Sequence, residues 1–211
     1  MTAPLDPRGG GVDLNIWLGR DAETDHDDPA FARLAGALVR VQEVVSGARP
    51  PPGLSTEAAT TLGRVADQLE PYDVDEAAQV AGRQFRHFSR GQTLLPAVAV
   101  DTYDGQRVDG RVTFGRFYLG SNGAVHGGAI SLLFDDLLGQ VANGPDAPRA
   151  RTAYLHVNFH RITPIGVELS CHAGIRTVEG RKVHIDGELC HGEEVVASAE
   201  GLFVRLEAHQ L

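Results

Sequence analysis

Near residue 92 the spacing of apolar residues changes from a helical period to a period of two, and that change constrains the fold more than any other feature of the chain. Before it, Phe31, Leu34, Ala35, Leu38 and Val45 fall on one stripe. They follow Asp28-Pro29, an N-cap with proline at the first helical position, which predicts a helix over 29–46. Pro50-Pro51-Pro52-Gly53 breaks the chain, and Ser55 is placed to cap a second helix in which Ala58, Leu62, Val65, Ala66 and Leu69 recur up to Pro71. Asp73 with Glu76 has the form of a capping box for a third, shorter helix. Beyond residue 92, strands are predicted over 93–101, 107–118, 151–160, 167–178, 181–191 and 194–205, with Glu179-Gly180 turning a hairpin. In one of them Val183, Ile185 and Leu189 alternate with His184, Asp186, Glu188 and Cys190. In another Ala153, Leu155, Val157 and Phe159 alternate with Thr152, Tyr154, His156, Asn158 and His160. This is the pattern of an antiparallel sheet with one buried face.

Among these strands lies one strongly apolar helix, from Gly127 to about Ala142, ended by Asn143-Gly144-Pro145. The expected fold class is therefore α+β, one long sheet folded about one buried helix. Residues 1–90 form a helical extension without a site-like constellation, expected to pack or to support an oligomer, and residues 91–211 form the sheet-and-helix domain. With 19 Lys+Arg against 28 Asp+Glu, the formal charge of −9 argues against nucleic acid or an anionic membrane as partner. No run approaches the roughly 20 apolar residues of a membrane helix, and Met1 to Arg20 lacks the pattern of a signal peptide, so a cytoplasmic location is expected. Cys171 and Cys190 read as small core residues on neighbouring strands, roughly a diagonal pair. His156 and His160, four apart on a strand, stand about 13 Å from each other and cannot share an ion, so no metal is expected.

On a wheel of about 100° per residue, Ile130, Leu133, Phe134, Leu137, Leu138 and Val141 share one side of the central helix. The opposite side carries Gly128, Leu132, Asp135 and Gly139, with Asp136 at its margin. A solvent face would be rich in Lys, Glu and Arg. Glycines beside carboxylates point instead to close packing against another chain or a ligand. Just upstream runs Ser121-Asn122-Gly123-Ala124-Val125-His126-Gly127-Gly128. Amides in the first turn of a helix have no internal partner and sit at the positive end of its dipole, and glycines there let a carbonyl approach the backbone. The turn has the makings of an oxyanion hole.

Val125-His126-Gly127-Gly128, followed by Ile130 and by Asp135 nine residues after the histidine, resembles the signature of hotdog-fold acyl-CoA thioesterases of the PaaI-like branch. Thr152 to Arg161, Glu179-Gly180-Arg181-Lys182 and Val196 to Gly201 resemble that branch's later strands and hairpin, so the resemblance extends over about residues 92–206. It implies a hotdog fold, hydrolysis of acyl-CoA, and no cofactor beyond the CoA of the substrate. It further implies that Gly127, with Gly128, binds the oxyanion while His126 fixes the loop or contacts the carbonyl. Asp135 would be the base or the nucleophile, and Thr152 its partner or the holder of the water. Arg181 and Lys182 would meet the CoA phosphates. Some relatives carry Asn six residues before the histidine; here that position is Gly120, and Asn122 is the nearest candidate. Gly127 and Asp135 are eight residues apart, about 12 Å along a helix, too far to touch one carbon. The family's answer is two antiparallel copies sharing each site, which implies at least a homodimer and leaves a homotetramer open. A non-catalytic module that binds acyl-CoA is the alternative.

Overall fold

A computed structural model describes residues 28–84, 90–145 and 147–207. Helix α1 spans Pro29–Gly47, and the Asp28 carboxylate caps it by accepting from the Ala30 and Phe31 amides at 2.8 and 3.1 Å. Helix α2 spans Pro52–Leu69 and starts earlier than expected. Pro51 is its N-cap, proline at the first position being already set for the helix, and Ser55 lies inside, donating back to the Pro51 carbonyl. The expected third helix is absent. Only 3-10 turns form, at Glu70–Tyr72 and Glu76–Ala78, because so short a segment cannot repay helix nucleation, and no side chain caps either turn.

Six strands follow: β1 Val98–Tyr103, β2 Arg107–Thr113, β3 Ala150–Phe159, β4 Glu168–Glu179, β5 Lys182–His191 and β6 Glu194–Arg205. They form one antiparallel sheet in the order β1-β2-β4-β5-β6-β3. The first two are shorter than predicted, and the end of the second is replaced by a 3-10 turn at Arg116–Tyr118. Helix α3, Gly127–Ala142, lies across the sheet with Ile130, Leu133, Phe134, Leu137, Leu138 and Val141 buried. Gly187 and Gly201 permit the close approach, since a Cβ at either would stand 2.8 or 3.0 Å from a Leu138 methyl. A sheet wrapped about one helix is the hotdog fold. No described helix is long and apolar enough to cross a membrane.

Two β-bulges change which way side chains point. In β4, Ile175 and Thr177 pair with consecutive residues of β5, which leaves Arg176 as the extra residue. Cys171 therefore opposes Leu189 while Cys190 opposes Ser170. The cysteines lie on neighbouring strands but on opposite faces, and not as the expected diagonal pair, because the hairpin turns at Gly180-Arg181, one residue later than expected, and the bulge shifts the register once more. In β3 the extra residue is Ala153, with Thr152 opposite Phe203 and Tyr154 opposite Leu202. Phe203 is in the core, so the bulge turns Thr152 toward α3 instead of leaving it on the polar face with Tyr154 and His156.

Candidate active site

The loop before α3 is fixed by backbone hydrogen bonds. Gly120 donates to Ala124 and Ala124 to Ser121, each at 2.9 Å, closing a tight turn whose central residues Asn122 and Gly123 have φ of 53° and 76°. Asn-Gly is the pair that such a left-handed turn selects. Asn122 thus has a conformational role at an exposed tip. A Cβ at Gly120 would stand 3.1 Å from the His126 Cα, which leaves little room for a side chain six residues before the histidine. The Val125 and His126 amides donate to the Thr163 and Tyr118 carbonyls at 2.8 Å, so the loop is pinned to two further segments.

His126 is the N-cap of α3, with extended backbone (φ −62°, ψ 129°), and its Nδ1 accepts from the Gly128 amide at 3.0 Å. That bond places the ring proton on Nε2. It also occupies the Gly128 amide, so of the two glycines expected to face an oxyanion, Gly127 is the one left. Among the described residues no acceptor takes the Gly127 N–H. Phe159 lies against Gly127, its ring 3.2 Å from where a Cβ would stand, and is itself 56% exposed. An aromatic edge beside an unpaired amide makes one wall of a site, and sequence pattern marked Phe159 only as a strand residue.

Asp135 and Asp136 are separated by their partners. Asp135 is exposed on the face opposite the core, and Thr152 Oγ1 donates to its Oδ1 at 3.1 Å. Asp136 is mostly covered, ion-paired with Arg90 at 2.5 Å and accepting from Gln140 Nε2 at 2.6 Å. Only Asp135 offers a carboxylate oxygen to an incoming group. Arg181 and Lys182 are not brought to the His126 turn. They sit at the sheet end beside Arg205, which pairs with Ala150, and Ala150 is bonded to Asn143 at the far end of α3. Arg181 there pairs with Glu207 at 3.1 Å. His156 meets Glu200 and His160 meets Ser198, on separate rungs of the sheet.

The N-terminal segment touches the same region twice, which sequence reasoning missed. From α1 the Glu43 carboxylate accepts from the Arg116 and Phe117 amides at 2.8 and 3.1 Å, and a Cβ at Gly115 would collide with it. Tyr118, in the same turn, donates to the Leu94 carbonyl at 3.0 Å. Burial, with the Glu43 charge, pushes its phenol up to about 12. Arg90, through Asp136, is the second contact. Both bonds join residues far apart in sequence, and no local pattern announces them.

Residues 122–198 match the model of the thioesterase superfamily. The crystal structure of a thioesterase superfamily protein is 28% identical at a TM-score of 0.72, covering 85% of this chain and 93% of its own. Residues 91–211 are 121 of the 211, about 57%, so an 85% match takes in N-terminal helices as well. The PaaI protein of the Escherichia coli phenylacetic acid degradation operon is 20% identical over 52% of this chain and 80% of its own, at a TM-score of 0.49. Among curated proteins, the acyl-coenzyme A thioesterase THEM4 of Bos taurus is 30% identical over 95 residues, or 44% of this chain. The chain spans 38% of the length of that relative.

Proposed function

We propose that this chain, whose residues 122–198 match the thioesterase superfamily model, hydrolyses an acyl-CoA thioester to the free acid and CoA. One observation carries this: a threonine-held carboxylate, Asp135, stands on the same helix whose first turn offers the unpaired Gly127 amide. Thioester hydrolysis asks for those two groups, a base for water and a donor for the oxyanion. Asp135 takes a proton from water as the water oxygen attacks the acyl carbon. The Gly127 N–H holds the charge that develops on the carbonyl oxygen. As the carbon–sulfur bond breaks, Asp135 returns the proton to the CoA sulfur. Thr152 engages one carboxylate oxygen and leaves the other for water, which makes it a positioning residue. His126 holds the Gly128 amide and so keeps the turn in shape.

Within one chain the two groups are about 12 Å apart along α3, whereas one reacting carbon needs both in contact. The proposed site is therefore shared by two copies whose α3 helices run antiparallel, Asp135 of each facing the His126-Gly127 turn of the other. The exposed Gly128 and Asp135 face of α3 and the unpaired edge of β3 are the surfaces a second copy would cover. The same operation carries Arg181 and Lys182, at the far end of α3 in one chain, toward the turn of the other, where CoA phosphates would meet them. Thiol release from a panel of acyl-CoAs tests the proposal. Wild-type turnover is expected, with kcat for Asp135→Asn lower by roughly 10²–10⁴-fold. Tight CoA binding without thiol release in the wild type would replace the enzyme by a non-catalytic acyl-CoA-binding module.

A further inference from the structure

We propose that the outer face of the sheet carries a transition-metal site, suited to zinc, built from His172, Glu188 and Cys190. On β4, Leu169, Cys171 and Ala173 are buried toward α3, and on β5 Ile185 and Leu189 are. Ser170, His172, Glu188 and Cys190 therefore share the opposite face, away from Gly127 and Asp135. The register sets His172 directly opposite Glu188 and Ser170 directly opposite Cys190. One ligand atom from each of His172, Glu188 and Cys190 lies within 4.8 Å of the others, and His172 Nε2 is 3.0 Å from a Glu188 oxygen.

A tetrahedral zinc with ligands at its usual bond lengths spaces them about 3.5 Å apart, so closure of the trio asks for about an ångström of side-chain movement. Imidazole, carboxylate and thiolate are all zinc ligands, and with a neutral imidazole their two negative charges balance a dication. A fourth position is left for water. Cys190 is 9% exposed, the most covered of the three, and burial together with the Glu188 charge pushes its thiol up. A cation between them removes that repulsion and releases the thiol proton to solvent. Behind His172, Asp109 is its direct partner on β2 and is held ionised chiefly by Arg107, which donates twice at 3.1 and 2.9 Å. That carboxylate adds a negative charge on the side of His172 away from Glu188. Sequence spacing could not show this trio, because its ligands come from two strands brought into register by the Arg176 bulge.

Cobalt and zinc titrations of the full chain, first treated with chelator, test the site. Cobalt is expected to produce a thiolate-to-metal charge-transfer band that zinc abolishes by competition. Cys171→Ser should keep the band, since that thiol is on the other face and burial pushes it up to about 12. Cys190→Ser should lose the band, and His172→Ala should weaken zinc binding by more than the roughly 10–100-fold that loss of an outer-shell partner costs. Glu188→Gln, at a half-buried position, is expected to weaken zinc binding and serves as the second variant should either of the others fail to fold, judged by melting without metal. Zinc should raise the melting temperature of the wild type and not that of Cys190→Ser. Absence of a thiolate band in the wild type, or its survival in Cys190→Ser, overturns the site.

Discussion

The first turn of α3 and its middle differ in how they are built. The turn is backbone chemistry. Glycines, an Asn-Gly reversal and a histidine cap put one amide outward, and hydrogen bonds from Gly120, Ala124, Val125 and His126 hold it. The middle is side-chain chemistry, one exposed carboxylate held by one hydroxyl from an edge strand. The turn is built from the consecutive residues Gly120 to Gly128 and only anchored from outside by the Tyr118 and Thr163 carbonyls, whereas the Asp135–Thr152 pair requires a helix and a strand to meet and a bulge to aim the threonine. On the proposed reading the turn is the donor pole and the carboxylate the base pole, about 12 Å apart on one helix, and each would complete the other's site in a second copy.

The largest expected effect removes the donor pole without touching the base. Gly127 is the first residue of α3, where proline is well tolerated, and His126 is already extended as a residue before proline must be. Gly127→Pro deletes the amide proton and should lower kcat by roughly 10²–10³-fold with the fold retained, as melting would show. Mixing that variant with Asp135→Asn separates a shared site from a single-chain one. If random reassortment pairs the copies two by two, half the dimers are hybrids with one intact site each, and about a quarter of wild-type activity returns. Activity no greater than the sum of the two dead proteins would break the dimer reading.

A tenfold effect is expected at the base pole. Thr152→Ala leaves Asp135 without its hydroxyl partner, and loss of a hydrogen bond to a charged group should reduce kcat by about a factor of ten, with Thr152→Ser recovering most of it. An unchanged kcat would reduce Thr152 to a strand residue. This is also where the sequence was hardest to read. The period of α3 marked six of its eight buried residues, because apolar side chains on a single stripe have only one way to be covered, and missed Ala129 and Ala142 at its ends. Strict alternation in β3, by contrast, puts Thr152 on the outer face with Tyr154, and nothing in the local pattern marks Ala153 as an extra residue. Arg90 on Asp136 and Glu43 on the loop were illegible for a related reason: each bond closes a long loop of chain, and a lone Arg or Glu carries no spacing signal. The two adjacent aspartates look alike in sequence and are distinguished only by what folds against them.

The smallest expected effect lies in the cap, and it decides whether His126 serves the turn alone. Its Nδ1 satisfies the Gly128 amide, so His126→Ala should cost about 1 kcal/mol, within the usual range for an N-cap, and lower the melting temperature by about 2–4 °C. Asparagine is a preferred cap and accepts from the same part of the first turn. His126→Asn is therefore expected to recover the stability, and to recover kcat with it if the imidazole only holds the turn. Stability regained with activity still lost would mean that the ring's Nε2–H reaches the substrate carbonyl, making the donor pole a side-chain device as well as a backbone one. The contrast between the two poles of α3 would then be one of degree.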